Sequence, residues 1–467
     1  MKYFLLMRMI YKVKNISFGG VMLLTKLMKF ILVLAFIVLA LLSLEKIFYI
    51  NDFVLLGLFL LILFLELIIN PRRTFVNILV VITIVLNIFG VFAIEHATTS
   101  YYLYEIEQWI SHEGSLPLLF LYQYSFLIGI FLIIKEKSID KLYIGSINYK
   151  KVFLILLVSL LVLTYVVILK YKPAPMLGVD RFAYDKDVLG IFGQITNILF
   201  YFSLGLGILF FKEKKKLYLC LLFLVLFAFL LKGHKFWNLV EILFLFFIPF
   251  SIYIFRKKVL KLIFIIGSGL AVFIIAAISI NVYYFPSFEP MDYARQRLSQ
   301  EGQLWWSTYK NYSDELRLDE ITKEFNTYLN YNDVNQYDVG MYKVMQLNTT
   351  PERFEWKLAK LSRFTYSTPA LIFYHFGSYL GMVAMFMLGV ISGLWLKLVF
   401  ASIMMGDLLL SIISSRFFYI LRKGVKDGDL YKFFSLEFVV LICVVLGLYF
   451  FYNFKEDLAN KVNAVSK

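Results

Sequence analysis

Residues 53–94 read FVLLGLFLLILFLELII (53–69), NPRRT (70–74) and FVNILVVITIVLNIFGVFAI (75–94). Two long apolar runs flank a turn that carries Arg72 and Arg73. A helix that crosses a bilayer needs about 20 apolar residues, with about 17 as the lower limit. Both runs meet that length, and Glu66 is the single charge within them. A basic turn between two such runs marks the cytoplasmic side of the membrane. This stretch therefore reads as a transmembrane hairpin closed on the inside.

The same pattern extends in both directions. About twelve spans are expected, at 27–44, 53–69, 75–94, 116–134, 152–169, 191–211, 217–231, 239–255, 262–285, 370–396, 400–421 and 433–452. The run 217–231 is short. The stretch 370–421 has few breaks, and Lys397 alone sets its division in two. Composition agrees with this reading. Hydrophobic residues make up 61% of the 467 and charged residues 17%, with a mean hydropathy of +0.77. Soluble domains run about 45–50% apolar and about 25% charged, so a soluble fold would expose large apolar patches. A soluble enzyme, a disordered chain and a nucleic-acid-binding domain are excluded. The net charge of +15 belongs to loop lysines and arginines, and no nucleic-acid partner is expected.

The segment Met1–Lys29 carries Lys2, Arg8, Lys12, Lys14, Lys26 and Lys29. It reads as a basic amphipathic segment on the inner leaflet, without the small-residue site of a cleaved signal peptide. With the N-terminus inside, the cytoplasmic pieces carry 25 basic residues and the short outer loops 11. That asymmetry puts both termini in the cytoplasm. Three regions follow: 1–285 with about nine spans, an outer helical loop 286–368, and 369–467 with about three spans. The 83-residue loop has 10 basic and 12 acidic residues, so it is no general anion trap. Helices are expected in it from Pro290 to about Asn311, and after Thr350, an N-cap followed by Pro351. Thr368-Pro369 repeats that signal at the next span.

Four outer segments carry residues suited to chemistry. The first is Arg295 to Trp306. On a continuous helix, Arg295, Ser299, Gly302 and Trp306 share one face, and Arg297, Gln300, Glu301 and Leu304 another. Guanidinium groups hold phosphates bidentately. Gly302 would admit a ligand to the backbone. Trp305 and Trp306 offer flat faces to a sugar, with Gln300 and Gln303 as polar partners. The bland rival is an interfacial helix rich in Trp and Arg.

The second is Lys232-Gly-His-Lys-Phe-Trp-Asn238, after the short span. Lys232, His234 and Lys235 would there meet an anion, or the lysines would simply reach the headgroups. The third is Asp180-Arg181 with Asp185 and Asp187, read either as a site or as a local ion-pair network. The fourth is Arg422 with Lys423 at the outer end of a span. The four histidines (His96, His112, His234, His375) and two cysteines (Cys220, Cys443) are scattered, so no metal is expected. No Gly-rich phosphate loop is present. Embedded charges are few, namely Glu66, Asp407 and Arg416, with Glu241 near a helix end, fewer than ion-coupled transport usually needs.

Together these features resemble the Wzy-type polymerases of bacterial O-antigen and capsule repeat units, which are related to the O-antigen ligases. The residue-level support is Arg295 to Trp306, Lys232 to Lys235, Phe376-Gly-Ser-Tyr-Leu-Gly381 with Gly389 and Gly393, and Leu421-Arg422. The resemblance implies an all-α polytopic integral membrane protein, GT-C-like, with about 12 transmembrane helices and one long periplasmic loop. It implies an inner-membrane glycosyltransferase that needs no metal or other cofactor. Donor and acceptor would be undecaprenyl-pyrophosphate-linked oligosaccharides, and a chain-length regulator would be a further partner. Arg295, Arg297, Arg181, His234, Asp180 and Glu301 would carry the chemistry, with Asp180, His234 and Glu301 as candidate bases. Lys232, Lys235 and Arg422 would hold the pyrophosphate. A ligase is the nearest alternative, but the loop 286–368 lacks the histidine a ligase would place there. A lipid-linked-oligosaccharide flippase is the alternative from another class.

The orientation is directly testable. Alkaline phosphatase fused after about residue 330 is expected to be active, and fused after Lys216 inactive; the reverse pattern would invert the topology.

Overall fold

The computed structural model describes residues 2–48, 50–98, 100–179, 181–234, 236–253, 290–329, 339–359, 364 and 366–447. Apolar length sets the order of its elements. The helices are α1 (Lys2–Leu44), α2 (Asp52–Ile69), α3 (Ile78–Glu95), α4 (Leu116–Ile133), α5 (Lys150–Tyr171), α6 (Ile191–Glu213), α7 (Lys216–Leu231) and α8 (Phe236–Phe247). After the undescribed 254–289 come α9 (Pro290–Ser299), α10 (Gln303–Asn311), α11 (Leu318–Leu329), α12 (Gly340–Asn348) and α13 (Pro351–Ala359). Then follow α14 (Thr368–Met405), α15 (Leu408–Val425) and α16 (Leu436–Gly447). One small hairpin, β1 (Tyr102–Leu103) with β2 (Gln108–Trp109), sits in the loop between α3 and α4.

Among the described residues, seven helices are long and apolar enough to cross a membrane. They lie in α1 to α6 and in α14. Shorter apolar helices occupy Lys216–Leu231, Trp237–Tyr253 and Leu436–Gly447. The chain is thus an all-α protein built for a membrane. The expected span 262–285 lies outside the described residues.

Three boundaries differ from expectation. α1 runs unbroken from Lys2, so the basic segment and the apolar stretch Leu23–Leu44 form one helix. The helix α14 passes through Lys397 and ends at Gly406, whose φ of 62° is left-handed. One lysine does not stop a helix. A left-handed glycine does, and Asp407 then caps α15 by accepting from the Leu409 and Leu410 amides, both at 2.9 Å. Lastly, the helix expected from Pro290 to Asn311 is broken at Gln300–Gly302, so the faces drawn on a continuous helix do not form.

The tightest packing runs between α4 and α14. A Cβ on Gly389 would lie 2.1 Å from the Phe126 carbonyl oxygen, and one on Gly129 would lie 2.2 Å from that of Phe386. Gly393 faces Ile133, and Gly381 faces the Tyr122 ring. Small residues allow such backbone approach where lipid supplies no hydrophobic drive between helices. Higher up, Gly377 breaks α14 with φ 63° and ψ −166°. The freed groups are satisfied by neighbours: Ser378 N–H donates to Asp314 Oδ1 (2.6 Å), Tyr122 Oη–H donates to the Gly377 carbonyl, and Arg317 donates to the Tyr374 and His375 carbonyls (2.6 and 2.9 Å).

The loops sort to two ends. At one, Glu66 pairs with Arg73 and Lys29, Arg72 with Asp140 (2.7 Å), and Lys150 with Glu213 (2.6 Å). At the other lie the 95–115 loop, the 232–234 turn, the end of α15 and the helices α9 to α13. The long loop does not stand clear of the bundle. The turn between α9 and α10 presses into α3, where a Cβ on Gly302 would meet Val91 N at 2.3 Å. Asn87 donates to the Glu301 carbonyl (2.6 Å) and accepts from Gln123 (2.9 Å), and Tyr366 donates to Gln123 (3.2 Å). Asn87 lies about 12 Å of helix below the Glu95 end, so this turn reaches near the middle of α3.

The glycine seam makes a sharp prediction. Gly389→Val is expected to cost about 1–3 kcal/mol through overpacking, read as a lower melting temperature in detergent. Gly57→Ala, where no described residue lies within 4 Å of the new Cβ, should stay within about 0.5 kcal/mol of the parent. Equal melting of the two variants would remove the seam from the stability argument.

Candidate functional site

A group of charged side chains gathers where α7 and α15 end and α8 begins. Gly233 takes φ 77°, which turns the chain after Lys232 and lays it against Ala174 and Arg181. A left-handed conformation suits glycine because it lacks a Cβ. That turn brings His234 beside the end of α15. There Arg422 Nη1 reaches both oxygens of Glu241, at 2.8 and 2.7 Å. Lys423 pairs with Asp427 at 3.0 Å. Lys426 Nζ lies 4.0 Å from the centre of the Trp237 ring, and the Arg422 guanidinium lies 5.3 Å from that of Tyr419. Both are cation–π contacts.

The field in this group is positive. Burial lowers Arg181, and the Arg422 charge adds to that; Glu241, Tyr419 and Asp427 oppose it. Burial likewise lowers Lys426, with Arg422 adding to it, against Glu241, Glu301 and Asp427. Burial alone would raise the Asp427 carboxyl, but Lys423, Arg422 and Lys426 outweigh it and hold the group well below the usual range. His234 is held well below its ordinary value by burial first, then by Lys232, Arg181 and Arg422. It is therefore neutral at pH 7. Asn238 Nδ2 donates to His234 Nδ1 at 2.6 Å, which leaves the proton on Nε2.

Two buried donors in this group have no hydrogen-bond partner among the described residues: His234 Nε2 and Arg422 Nε. Asp185 Oδ2 lies 3.7 Å from the first, beyond hydrogen-bond reach. Buried polar groups are rarely left so. A positive field with unanswered donors suits an anion bearing several oxygens, such as a phosphate.

The structure sorts the residues singled out from sequence. It brings Arg181, His234 and Arg422 together, with Glu301 close enough to act on Lys426. Lys232 has another role. It is fully buried and binds Asp185 (3.0 Å), Thr196 (2.9 Å) and Asn197 (2.6 Å), so its charge is taken up within the protein by Asp185. Asp180 and Lys235 lie outside the described residues.

The segment Arg295 to Trp306 is corrected most. Trp305 and Trp306 are fully buried and donate to the Ser115 (3.3 Å) and Ser111 (3.0 Å) carbonyls, so neither offers a face to a sugar. Gly302 admits the α3 backbone, not a ligand. Gln303 donates to Glu105 at 2.5 Å. Arg297 is exposed and binds Gln300, and Arg295 stacks over Tyr101 at 5.6 Å. Lys426, Trp237 and Tyr419 were missed. The signal for two of them was in the spacing, since Tyr419, Arg422 and Lys426 share one helical face.

Comparison with known proteins adds one match. Residues 334–442 match a family of unknown function, DUF6418. That stretch includes α12 to α15, and with them Arg422, Lys423, Lys426 and Asp427. No curated protein and no solved structure matches the chain.

The neutral His234 sets a pH dependence. An unfolded histidine takes up its proton near pH 6.5 and this buried one does so only at lower pH. Below about pH 6.5 the unfolded state binds more protons, so stability falls as pH falls. His234→Gln is expected to flatten the melting-temperature profile between pH 6.5 and 5; an unchanged slope would mean that His234 is not held neutral.

Proposed function

We propose that the chain is a Wzy-type glycosyltransferase. It joins oligosaccharide repeats carried on undecaprenyl pyrophosphate at the outer face of the bacterial inner membrane. The observation that carries this reading is the cluster of three cations, Arg181, Arg422 and Lys426, around the neutral His234, with two donors that no described residue answers. A sugar donor outside the cytoplasm must arrive already activated on a lipid, and pyrophosphate is the anion such a carrier presents.

In the transfer, a hydroxyl of the incoming repeat attacks the anomeric carbon of the growing chain. The bond from that carbon to the pyrophosphate oxygen breaks as the new glycosidic bond forms. Charge gathers on the departing pyrophosphate, and prepositioned donors there lower the barrier. Arg181 and Arg422 meet that charge, and His234 donates through Nε2–H. A neutral His234 whose Nδ1 already accepts from Asn238 suits a donor better than a base. Glu301, on the turn that enters the bundle, is the better candidate to take the hydroxyl proton. The tight α9–α10 turn would hold it while the two sugars are oriented.

A strain lacking the chain, complemented with variants, tests this on a polysaccharide gel. Without the protein, lipid A core capped by a single repeat is expected. Loss of all capping would indicate a ligase, and loss of export a flippase. Arg181→Ala and Lys426→Ala should each shorten the ladder. Losing one contact to a charged ligand costs about 1.5–3 kcal/mol, or roughly ten- to hundred-fold in rate. A full ladder from the double variant would overturn the assignment.

A further inference from the structure

The histidines that the sequence separates meet where α2 begins and α3 ends. Asp52 opens α2, Glu95 and His96 close α3, and His112 lies in the loop that follows. His96 Nε2 is 2.8 Å from Asp52 Oδ2. One donor atom each from Asp52, His96 and His112 lies within 4.8 Å of the others. The rings of Phe92 and Phe53 flank His96, at 4.5 and 5.2 Å between centres.

Glu95 supplies a second, independent observation. Its Oε1 accepts from the Ser115 amide (2.8 Å) and hydroxyl (2.5 Å). Among the described residues its Oε2 is buried without a hydrogen-bond partner, and it faces His112 Nδ1 at 3.7 Å. The residue is 6% exposed, so this is a carboxylate oxygen held out of water and aimed at the cluster.

We propose that Asp52, His96 and His112 bind a divalent transition-metal ion of the zinc type, with Glu95 as fourth ligand or as acceptor from a metal-bound water. Two imidazoles and one carboxylate suit zinc, whereas magnesium and calcium take oxygen ligands. Tetrahedral zinc holds N and O atoms at about 2.0–2.2 Å, and so about 3.4 Å from one another. The half-exposed His112 side chain is free to close that distance. The ion would brace a scaffold and take no part in sugar transfer. The loop it would anchor carries Glu105, which binds Lys357 at 2.8 Å, and Gln108, which donates to the Asn348 carbonyl at 3.2 Å. The same loop receives Trp305 and Trp306. The metal would thus tie α2 and α3 to the platform under the long loop. This inference does not rest on the proposed function.

The test uses the full chain purified in detergent and stripped with a chelator. Zinc is titrated in competition with a chromophoric chelator, and cobalt binding is followed by its visible bands. One equivalent is expected to bind and to raise the melting temperature. His112→Ala, at an exposed position, should fold normally by size exclusion and weaken zinc binding about 100-fold or more, because metal ligation is lost. Asp52→Asn should do the same and abolish the tetrahedral cobalt spectrum. Cys220→Ser with Cys443→Ser should bind as the parent does, since neither thiol belongs to the site. Absence of stoichiometric binding, or an undiminished affinity in His112→Ala, would overturn the site.

Discussion

Close backbone contact between α4 and α14 is the constraint on which the rest of this structure depends. Gly129, Gly381, Gly389 and Gly393 have no side chain, and the two helices meet through that absence. Lipid is as apolar as leucine, so a membrane bundle gains little from burying leucine against leucine. It gains from dispersion contacts made at short range, and these require small residues at the crossing. Once α4 is held against α14, Tyr122 is in place to receive the break at Gly377. The Asn87, Gln123 and Tyr366 chain is then in place to receive the turn at Glu301.

That turn explains why the long loop is part of the bundle. A polar backbone segment at depth is tolerated only where protein satisfies its groups. Asn87 and Gln123 do so from within two spanning helices. The tryptophans follow the turn inward, and their indole N–H groups find carbonyls in the 95–115 loop. An aromatic pair that looks like a binding platform in sequence is therefore a pair of anchors, as expected of large side chains with one polar handle.

The charged group at the end of α15 shows the opposite balance. Most of its ions are paired, as buried charges must be. Arg422 with Glu241 and Lys423 with Asp427 are structural in that sense. Two donors, Arg422 Nε and His234 Nε2, have no partner among the described residues, and the charges of Arg181 and Lys426 lie close by. Arg181 is visible in sequence as a basic residue among three aspartates of the 170–190 loop, and His234 as part of the turn after the short span 217–231. Lys426 was not singled out, because a lysine after a helix end usually reaches for water, and only its seat on Trp237 shows otherwise.

The apolar runs alone determined that this is an all-helical membrane protein, because backbone groups in lipid must bond within their own segment. They located most helices within a few residues, Gly57 and Gly389 looking alike among them. Tertiary structure decided which glycine is a contact and which is idle, since only the partner backbone tells them apart. It also decided the sites. Asp52, His96 and His112 are separate in sequence, and the start of α2, the end of α3 and the loop after α3 bring them within 4.8 Å of one another. Arg181, His234 and Arg422 converge for a like reason, from the loop between α5 and α6, the turn after α7 and the last turn of α15. A membrane bundle brings helix ends together through the packing along their lengths, and no local stretch of sequence records that distance.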